Sequence, residues 1–292
     1  MPASRTLSAL VLLAATPAAQ TAPGVSERVA ALTRATKWTR VAAIAVAFPT
    51  FHPQGMVKVG DAFLVSSVEV HDREAGKGVG HLFKIAANGA LIADRTLGEG
   101  TIYHPGGIDF DGQSVWVPVA EYRPDSRTIV YRVDPQSMKA TEVLRVADHI
   151  GAVVYDTDAR TLHGISWGSR RFYQWTMNGR GEWPAPTRRD NVSHYLDYQD
   201  CKYVGHHQMA CGGVTELRAS PDSPPFRLGG IDLVDLNDGR PVHQSPVLLW
   251  TPAGLDMTHN PVWFEAAPAG LRAYFMPEDD RSTIYVYESA SP

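Results

Sequence analysis

The sequence predicts an all-β protein, a single five-bladed β-propeller that is closed by an N-terminal strand. Three observations predict this fold class. A short phrase recurs along the chain, each copy opens a strand-like run that soon meets a turn, and the last unit lacks one strand.

The recurring phrase places a histidine at the start of four of the five units. The copies are roughly 50 residues apart, a period typical of propellers, in which the first strand of each blade lines a central channel. One copy carries glutamine instead of histidine. The copies are Phe51–Gly55, Tyr103–Gly107, Asp148–Ala152, Tyr198–Cys201 and Thr258–Val262. The sequence therefore predicts that His52, His104, His149, Gln199 and His259 converge on one channel.

The first four units each contain four predicted strands. In the first unit these are 52–59, 62–70, 80–85 and 91–97, with a hairpin turn at Asn88-Gly89. The second unit has 104–110, 114–121, 127–133 and 140–146, and its second strand shows the alternation expected of a strand. The third unit has 149–155, 162–167, 171–176 and 187–190. The fourth has 199–204, 208–214, 229–236 and 242–250.

The fifth unit has three predicted strands, 259–264, 271–276 and 282–287, before the chain ends. An unassigned strand at Val41–Val46 is available to complete it. Docking an N-terminal strand into the last blade removes exposed sheet edges. We therefore expect this strand to lie in the blade that contains Tyr285, within one propeller domain at 36–290.

Composition fits one exported globular domain. The chain has 292 residues and is 44% hydrophobic, which is enough for one large all-β core. Its formal net charge is −4. No basic block indicates nucleic acid or a membrane surface. We expect a monomer whose partner is a small molecule or oligosaccharide.

The N-terminus has the pattern of a signal peptide. Arg5 precedes an apolar run at Leu7–Ala15, and small residues follow at Thr16–Ala22. The run is too short to span a bilayer; the alternative is a buried first strand. The pattern predicts a signal peptide at about residues 1–20 and a secreted or periplasmic protein.

The two cysteines are interpreted in that context. Cys201 and Cys211 flank a predicted turn at His206, so they face each other across a hairpin. In an oxidising compartment such a pair predicts a disulfide. A metal pair is the alternative, although no other cysteine is present to complete a soft site.

Several segments resemble an uncharacterised family of secreted bacterial β-propeller proteins. They are Gly98–Gly112, Val117–Arg127 and Gly164–Arg171. The resemblance covers nearly the whole mature chain. It implies the fold and export, with no settled activity.

The predicted ring of histidines and glutamine is similar to that of the oligogalacturonate lyases. Those are larger propellers in which three histidines and a glutamine hold Mn²⁺, and the likeness lies in ligand types and their placement at blade starts. Neutral imidazole is also the commonest metal ligand, and with a carboxamide it suits Mn, Zn or Fe. The metal ligands expected on this pattern are His52, His104, His149, Gln199 and His259. The alternative is a metal-free polar plug. His206 and His207 are excluded because their turn lies on the opposite face.

Two further layers of residues repeat in register at the ends of the second strands. Glu69, Glu121 and Glu278 are predicted to orient the histidines or to act as a catalytic base, or else to be solvated loop carboxylates. Trp167 holds the equivalent place in the third unit. Arginines follow shortly after and suit an acidic substrate. They are Arg73, Arg123, Arg170 and Arg281, which with Trp167 form the predicted substrate-binding set.

The leading functional hypothesis is a metal-dependent lyase, or hydrolase, acting on an acidic carbohydrate or similar small molecule. One alternative is a non-enzymatic ligand-binding propeller with a structural histidine ring. The other is a non-haem iron oxygenase, because carotenoid cleavage oxygenases also place four histidines on a propeller axis.

Overall fold

The computed structural model describes residues 24–290, in which β-strands dominate. The strands form five antiparallel sheets, and neighbouring sheets meet through their first strands. The protein is therefore a five-bladed β-propeller, as the repeated phrase predicts. The predicted signal peptide, residues 1–20, lies outside the described residues.

The first four blades follow the predicted order of strands. Blade one contains β2 (His52–Val59), β3 (Ala62–Asp72), β4 (Lys77–Ile85) and β5 (Leu91–Leu97). Blade two contains β6 (Ile102–Pro105), β7 (Asp109–Phe110), β8 (Val115–Glu121), β9 (Thr128–Val133) and β10 (Ala140–Val146). Blade three contains β11 (Ile150–Asp156), β12 (Thr161–Ser166), β13 (Arg171–Thr176) and β14 (Thr187–Asp190). Blade four contains β15 (Asp197–Gly205), β16 (Gln208–Leu217), β17 (Phe226–Asp235) and β18 (Pro241–Pro246).

The fifth blade is closed by the N-terminal strand, as predicted. It contains β19 (Val262–Ala267), β20 (Gly270–Phe275), β21 (Thr283–Ser289) and, outermost, β1 (Trp38–Ala45). In the antiparallel register of β1 and β21, Ala43 pairs with Tyr285. Joining the two ends of the chain in one sheet gives the last blade its fourth strand.

The glycines of the repeated phrase allow the blades to approach one another closely. A Cβ atom added at Gly55 would lie 2.5 Å from the Ile108 nitrogen, and one at Gly106 would lie 2.0 Å from the Gly151 oxygen. At Gly107 the chain leaves the β8 ladder and bridges to blade three. For this reason the inner strand of blade two, predicted as one run at 104–110, is two short strands.

A buried ion pair joins the inner strands of four blades. The Asp200 carboxylate on β15 is fully buried. It accepts hydrogen bonds from three backbone amides, those of Met56 (3.0 Å), Ile108 (3.1 Å) and Val262 (3.1 Å). Lys202 Nζ pairs with Asp200 and donates to the Ile108 carbonyl at 2.6 Å. Blades one, two and five are thus bonded to one carboxylate of blade four.

Cys201 and Cys211 form a disulfide between facing positions of β15 and β16, which confirms the predicted pairing. They are 10 residues apart in sequence. Closing so short a loop stabilises a fold by about 2–3 kcal/mol in the chain-entropy model.

One short helix, α1 (Val25–Ala30), packs against blades four and five. Val29 and, just after the helix, Leu32 are buried in a core cluster with Ile231 and Leu271. Within residues 24–290, no helix is long and apolar enough to cross a membrane.

Buried His163 on β12 provides a prediction about acid stability. Burial lowers the pKa of His163 from 6.5 to about 4. Between these pH values the unfolded chain binds the additional proton, so the free energy of unfolding falls as the pH drops from about 6.5 to about 4, by up to about 3 kcal/mol.

The test compares urea unfolding of wild type and His163→Gln across that pH range. The stability difference between them is expected to shrink by about 3 kcal/mol on acidification. Exposed His71, which pairs with Glu69 at 3.1 Å, gives the matched control His71→Gln, which removes a histidine without touching the buried site. A constant difference for His163→Gln would show that burial does not keep this imidazole neutral.

Candidate functional site

A polar pocket opens on the face where the inner strands begin, which we call the ring face. It has a volume of about 220 Å³. We call it the His pocket because three predicted ring histidines line it with aromatic and amide side chains. Its lining is His52, Gln54, His104, Tyr122, His149, Gly151, Ser166, Trp167, Gly168, Asp197, Tyr198 and Gln199.

His104 on β6 is a buried histidine of this pocket, and one of its ring nitrogens is unsatisfied. The residue is 5% exposed, and its Nδ1 has no hydrogen-bond partner among the described residues. Burial, followed by the nearby His149, His52 and Arg73, lowers the pKa of His104 well below its ordinary value. The imidazole is therefore neutral at physiological pH, and one ring nitrogen is available to a ligand, an ion or water.

His149 immediately precedes β11 and is held in a defined orientation. Its backbone amide donates to Asp148 Oδ1 at 2.8 Å. Its Nδ1 lies 2.9 Å from the Glu121 carbonyl and 3.1 Å from the Arg123 carbonyl, so Nδ1–H is the donor. Burial lowers the pKa of His149 to about 4. The Nε2 lone pair of this neutral imidazole is free to act as a base or as a metal ligand.

His52 begins β2 and forms a dyad with Asp279, since its Nδ1 lies 2.8 Å from Asp279 Oδ1. Preceding Phe51 has a left-handed φ of 55°, and its carbonyl accepts a hydrogen bond from the Asp280 amide at 2.7 Å. These backbone contacts fix His52 beside Asp279. The dyad leaves Nε2 of His52 as the atom that can take a proton.

Aromatic rings form one wall of the His pocket. Tyr122 stacks on His104 with ring centres 4.0 Å apart, and Trp167 meets His149 edge-on at 4.7 Å. The Arg73 guanidinium lies over Tyr122, 4.0 Å from its ring centre. Trp167 opens a short 3₁₀ turn in which Gly168 has a φ of 59°. Trp167 and Arg73, two predicted substrate-binding residues, thus lie at or beside the pocket.

The two remaining predicted ring residues, Gln199 and His259, lie in different pockets. Gln199 lines the His pocket, and Gln54 joins it as a second carboxamide. His259 instead lines a neighbouring pocket on the ring face with Arg227 and Trp250. Burial, then the charges of Arg227 and His52, lowers the pKa of His259. The structure therefore brings four of the five predicted ring residues to one pocket and places the fifth beside it.

The three predicted catalytic glutamates have other partners, and none of them lines the His pocket. Glu69 pairs with His71 at 3.1 Å, and Glu121 pairs with Arg127 at 2.6 Å. Glu278 accepts a hydrogen bond from Tyr285 at 2.6 Å. The second strands do end on the ring face, but their terminal carboxylates turn toward neighbouring loops. In the folded chain, the backbone carbonyls of Glu121 and Arg123 orient His149, and the Asp279 carboxylate orients His52. These groups do what was predicted for the glutamate side chains.

The other predicted substrate-binding arginines are likewise engaged or exposed. Arg123 pairs with Glu121, and Arg170 pairs with Asp197 at 2.8 Å. Arg281 is exposed next to the Asp279 loop. Asp197 lines the His pocket, so the Arg170 pair lies at its edge.

A separate Asp/His group could hold a metal ion. Within residues 24–290, Asp156, Asp158 and His207 are the one set of three His, Cys, Asp or Glu side chains with ligand atoms all within 4.8 Å of one another. His207 Nδ1 lies 2.7 Å from Asp156 Oδ2, a bond that raises the pKa of His207. His207 lies on the face opposite the ring, as predicted from its turn, and the Asp156–Asp158 turn of the adjacent blade lies beside it.

Asp279 and Gln54 are site residues that the sequence analysis did not assign. Gln54 lies within the first copy of the repeated phrase, two residues after His52, so strand alternation could have placed it on the same side. Asp279 follows Glu278, the predicted second-strand position, and only the fold of its loop selects it as the partner of His52.

The comparisons with known proteins show a family and a fold. The profile of a family of unknown function, DUF6454, matches residues 9–291. A comparison with curated proteins finds no match.

Among solved structures, the chain is similar to a tail fibre of Staphylococcus aureus phage P68, with 10% identity over 88% of this chain and 53% of that one (TM-score 0.51). It also resembles a luciferin-regenerating enzyme, with 9% identity over 88% and 95% (TM-score 0.47). A third is the hydrazine synthase of Kuenenia stuttgartiensis, with 13% identity over 82% of this chain (TM-score 0.42). This chain spans 66% of that synthase chain. At these identities the likeness is one of fold alone.

Proposed function

We propose that this chain, which belongs to the DUF6454 family of unknown function, is an exported metal-dependent lyase that acts on an acidic carbohydrate at the His pocket. A disulfide in the fold is compatible with an oxidising compartment outside the cytoplasm. The observation that carries the proposal is the unpaired Nδ1 of buried His104.

The donors of the His pocket fit a divalent cation. A buried nitrogen without a partner is rare in native proteins and is usually met by water or an ion. The ring centres of His104 and His149 are 5.5 Å apart. Two imidazoles bound tetrahedrally at a metal–nitrogen distance of about 2.1 Å have ring centres roughly 5 Å apart. His104, His149 and the Gln199 carboxamide would hold the ion, a donor set that suits Mn, Zn or Fe.

A divalent ion held by these residues would supply Lewis-acid polarisation of the substrate carboxylate, which would acidify the adjacent C–H bond. His52 then takes the proton on Nε2, while Asp279 stabilises the resulting imidazolium through Nδ1. The electrons of the broken C–H bond form a C=C bond as the C–O bond to the leaving sugar breaks. His52 returns its proton to the departing oxygen.

The aromatic wall and Arg73 favour an acidic sugar as the substrate. Trp167 is half-buried and offers a ring on which the C–H face of a sugar can pack. Arg73 is exposed, and its guanidinium can bind a carboxylate with two parallel hydrogen bonds. The lining amides Gln54 and Gln199 are suited to sugar hydroxyls as donors and acceptors.

Metal binding tests the proposal directly. Wild-type protein purified without chelator, then titrated with Mn²⁺ and Zn²⁺ by calorimetry, is expected to bind an ion at the His pocket, besides any ion held by the separate Asp/His group. His104→Gln is expected to weaken binding at least about 10-fold, since removing one metal-orienting group alone costs about 10–100-fold. The matched control His71→Gln changes an exposed histidine outside the pocket and should bind like wild type.

The reaction is tested by the near-ultraviolet absorbance of the unsaturated product on a panel of uronides. Metal-loaded wild type should give this product, and His104→Gln should not. If wild type binds no divalent ion, or if it binds uronides without product, the lyase proposal is wrong. The second result would favour a non-enzymatic binding propeller, a reading supported by the absence of the three predicted glutamates from the His pocket.

A further inference from the structure

A second pocket opens on the ring face between blades four and five. It has a volume of about 320 Å³, and we call it the outer pocket. Phe226 and Arg227 at the start of β17 form one side. Trp250 and Asp256, joined by an isolated β-bridge, form the other. His259 completes the lining.

Asp256 gives the outer pocket a polar group that lacks a partner. The residue is 4% exposed and lines the pocket. Its Oδ1 is buried and has no hydrogen-bond donor within residues 24–290. A buried carboxylate oxygen without a donor is costly, so its partner is a group that is not part of the chain, an ordered water or a ligand donor. A hydroxyl group is such a donor.

Two aromatic side chains stand exposed at the same place. Trp250 is 43% exposed and Phe226 is 58% exposed. Large aromatic rings grouped at a pocket mouth mark a binding site more often than isolated surface residues do. A sugar has apolar C–H faces and an edge of hydroxyls, so an indole beside a carboxylate acceptor matches both of its surfaces.

Arg227 adds a cation to the outer pocket. Its Nε forms an ion pair with Glu216 Oε2 at 3.6 Å, which is longer than a hydrogen bond. The guanidinium can therefore bind a ligand carboxylate through two parallel hydrogen bonds. A uronate residue carries the carboxylate and the hydroxyls that Arg227 and Asp256 would recognise.

His259 connects the outer pocket to the His pocket. It lines the outer pocket, and the next residue, Asn260, donates to Asp279 Oδ1 at 3.3 Å, the oxygen that also binds His52 Nδ1. The two pockets therefore adjoin across this imidazole on one face of the propeller.

We propose that the outer pocket is a second sugar subsite and that the substrate is an acidic oligosaccharide spanning both pockets. The inference rests on the proposed function, because the reacting unit lies in the His pocket. It assigns Trp250 to stacking, Asp256 to a hydroxyl and Arg227 to the carboxylate of a further uronate unit. His259, predicted as a fifth metal ligand, becomes the wall between the two subsites.

The test measures binding of a galacturonate disaccharide and hexasaccharide by calorimetry to the full, metal-loaded chain. All proteins carry His52→Gln so that the ligand is not consumed. The hexasaccharide is expected to bind more tightly. Trp250→Ala should weaken hexasaccharide binding roughly tenfold and change disaccharide binding by less than about twofold. Arg227→Gln should weaken the hexasaccharide but leave its neutral methyl-esterified form unchanged.

Leu248→Ala is the matched control, since Leu248 is 49% exposed near Trp250 and outside the pocket lining; it should have no effect. Equal binding of both oligomers, or equal loss of both with Trp250→Ala, overturns the subsite. When either of these results is obtained but His104→Gln abolishes disaccharide binding, only the subsite is wrong and the proposed function stands. If the protein binds neither oligomer, the proposed function fails for uronides and the subsite fails with it.

Discussion

Replacing His52 with glutamine is expected to lower kcat for uronide elimination by about 10²–10⁴-fold, the usual contribution of a positioned general base. Glutamine fills much the same space and can still donate to Asp279, but it cannot take the proton. Metal binding and folding should remain as in wild type, since His52 is partly exposed at the edge of β2. The measurement is the initial rate of product absorbance with metal-loaded protein.

Asp279→Asn separates the two members of the dyad. It keeps a polar group 2.8 Å from His52 Nδ1 but removes the charge that stabilises the imidazolium. We expect a smaller loss of kcat, with little change in KM, because the group acts after the substrate is bound. The control is Asp238→Asn, which changes an exposed loop carboxylate that is distant from Asp279 in the sequence. An unchanged kcat for His52→Gln would exclude His52 as the base.

Replacing Lys202 with methionine is expected to lower the free energy of unfolding by about 3–5 kcal/mol, because it leaves the buried Asp200 carboxylate without its cation. Both side chains are almost fully buried. Burial raises the pKa of Asp200 and lowers that of Lys202, so each depends on the other for its charge. The effect should be large because Asp200 bonds the inner strands of blades one, two and five. Urea unfolding measures it.

The control for this prediction is Lys58→Met, which breaks the partly exposed pair of Lys58 and Glu265. Exposed pairs contribute little, so the loss should be about 1 kcal/mol or less. The double variant Lys202→Met with Asp200→Asn removes both charges and should recover part of the loss. Equal effects of Lys202→Met and Lys58→Met would show that the central pair does not hold the blades together.

The repeated phrase by itself determined the fold and four of the residues that line the His pocket. Each copy marks the start of an inner strand, so blade number followed from counting copies, and the glycines of the first two copies permit close packing at the axis. The missing strand of the last unit likewise required β1 beside β21. The pairing of Cys201 with Cys211 followed from their places on either side of one turn. These are local or periodic features, which a sequence carries directly.

Only the tertiary structure decided which side chain has which role in the site. Alternation and register place a residue at a strand end, but they do not fix the path of the loop beyond it. Glu121 and Glu278 therefore turned to neighbouring loops, while Asp279 reached His52. The distance of His259 from the His pocket depends on the packing of blade five against blade four. Many pairings of charged side chains are compatible with the same periodic pattern. Contacts between segments that are distant in sequence therefore select the partner of each charged side chain.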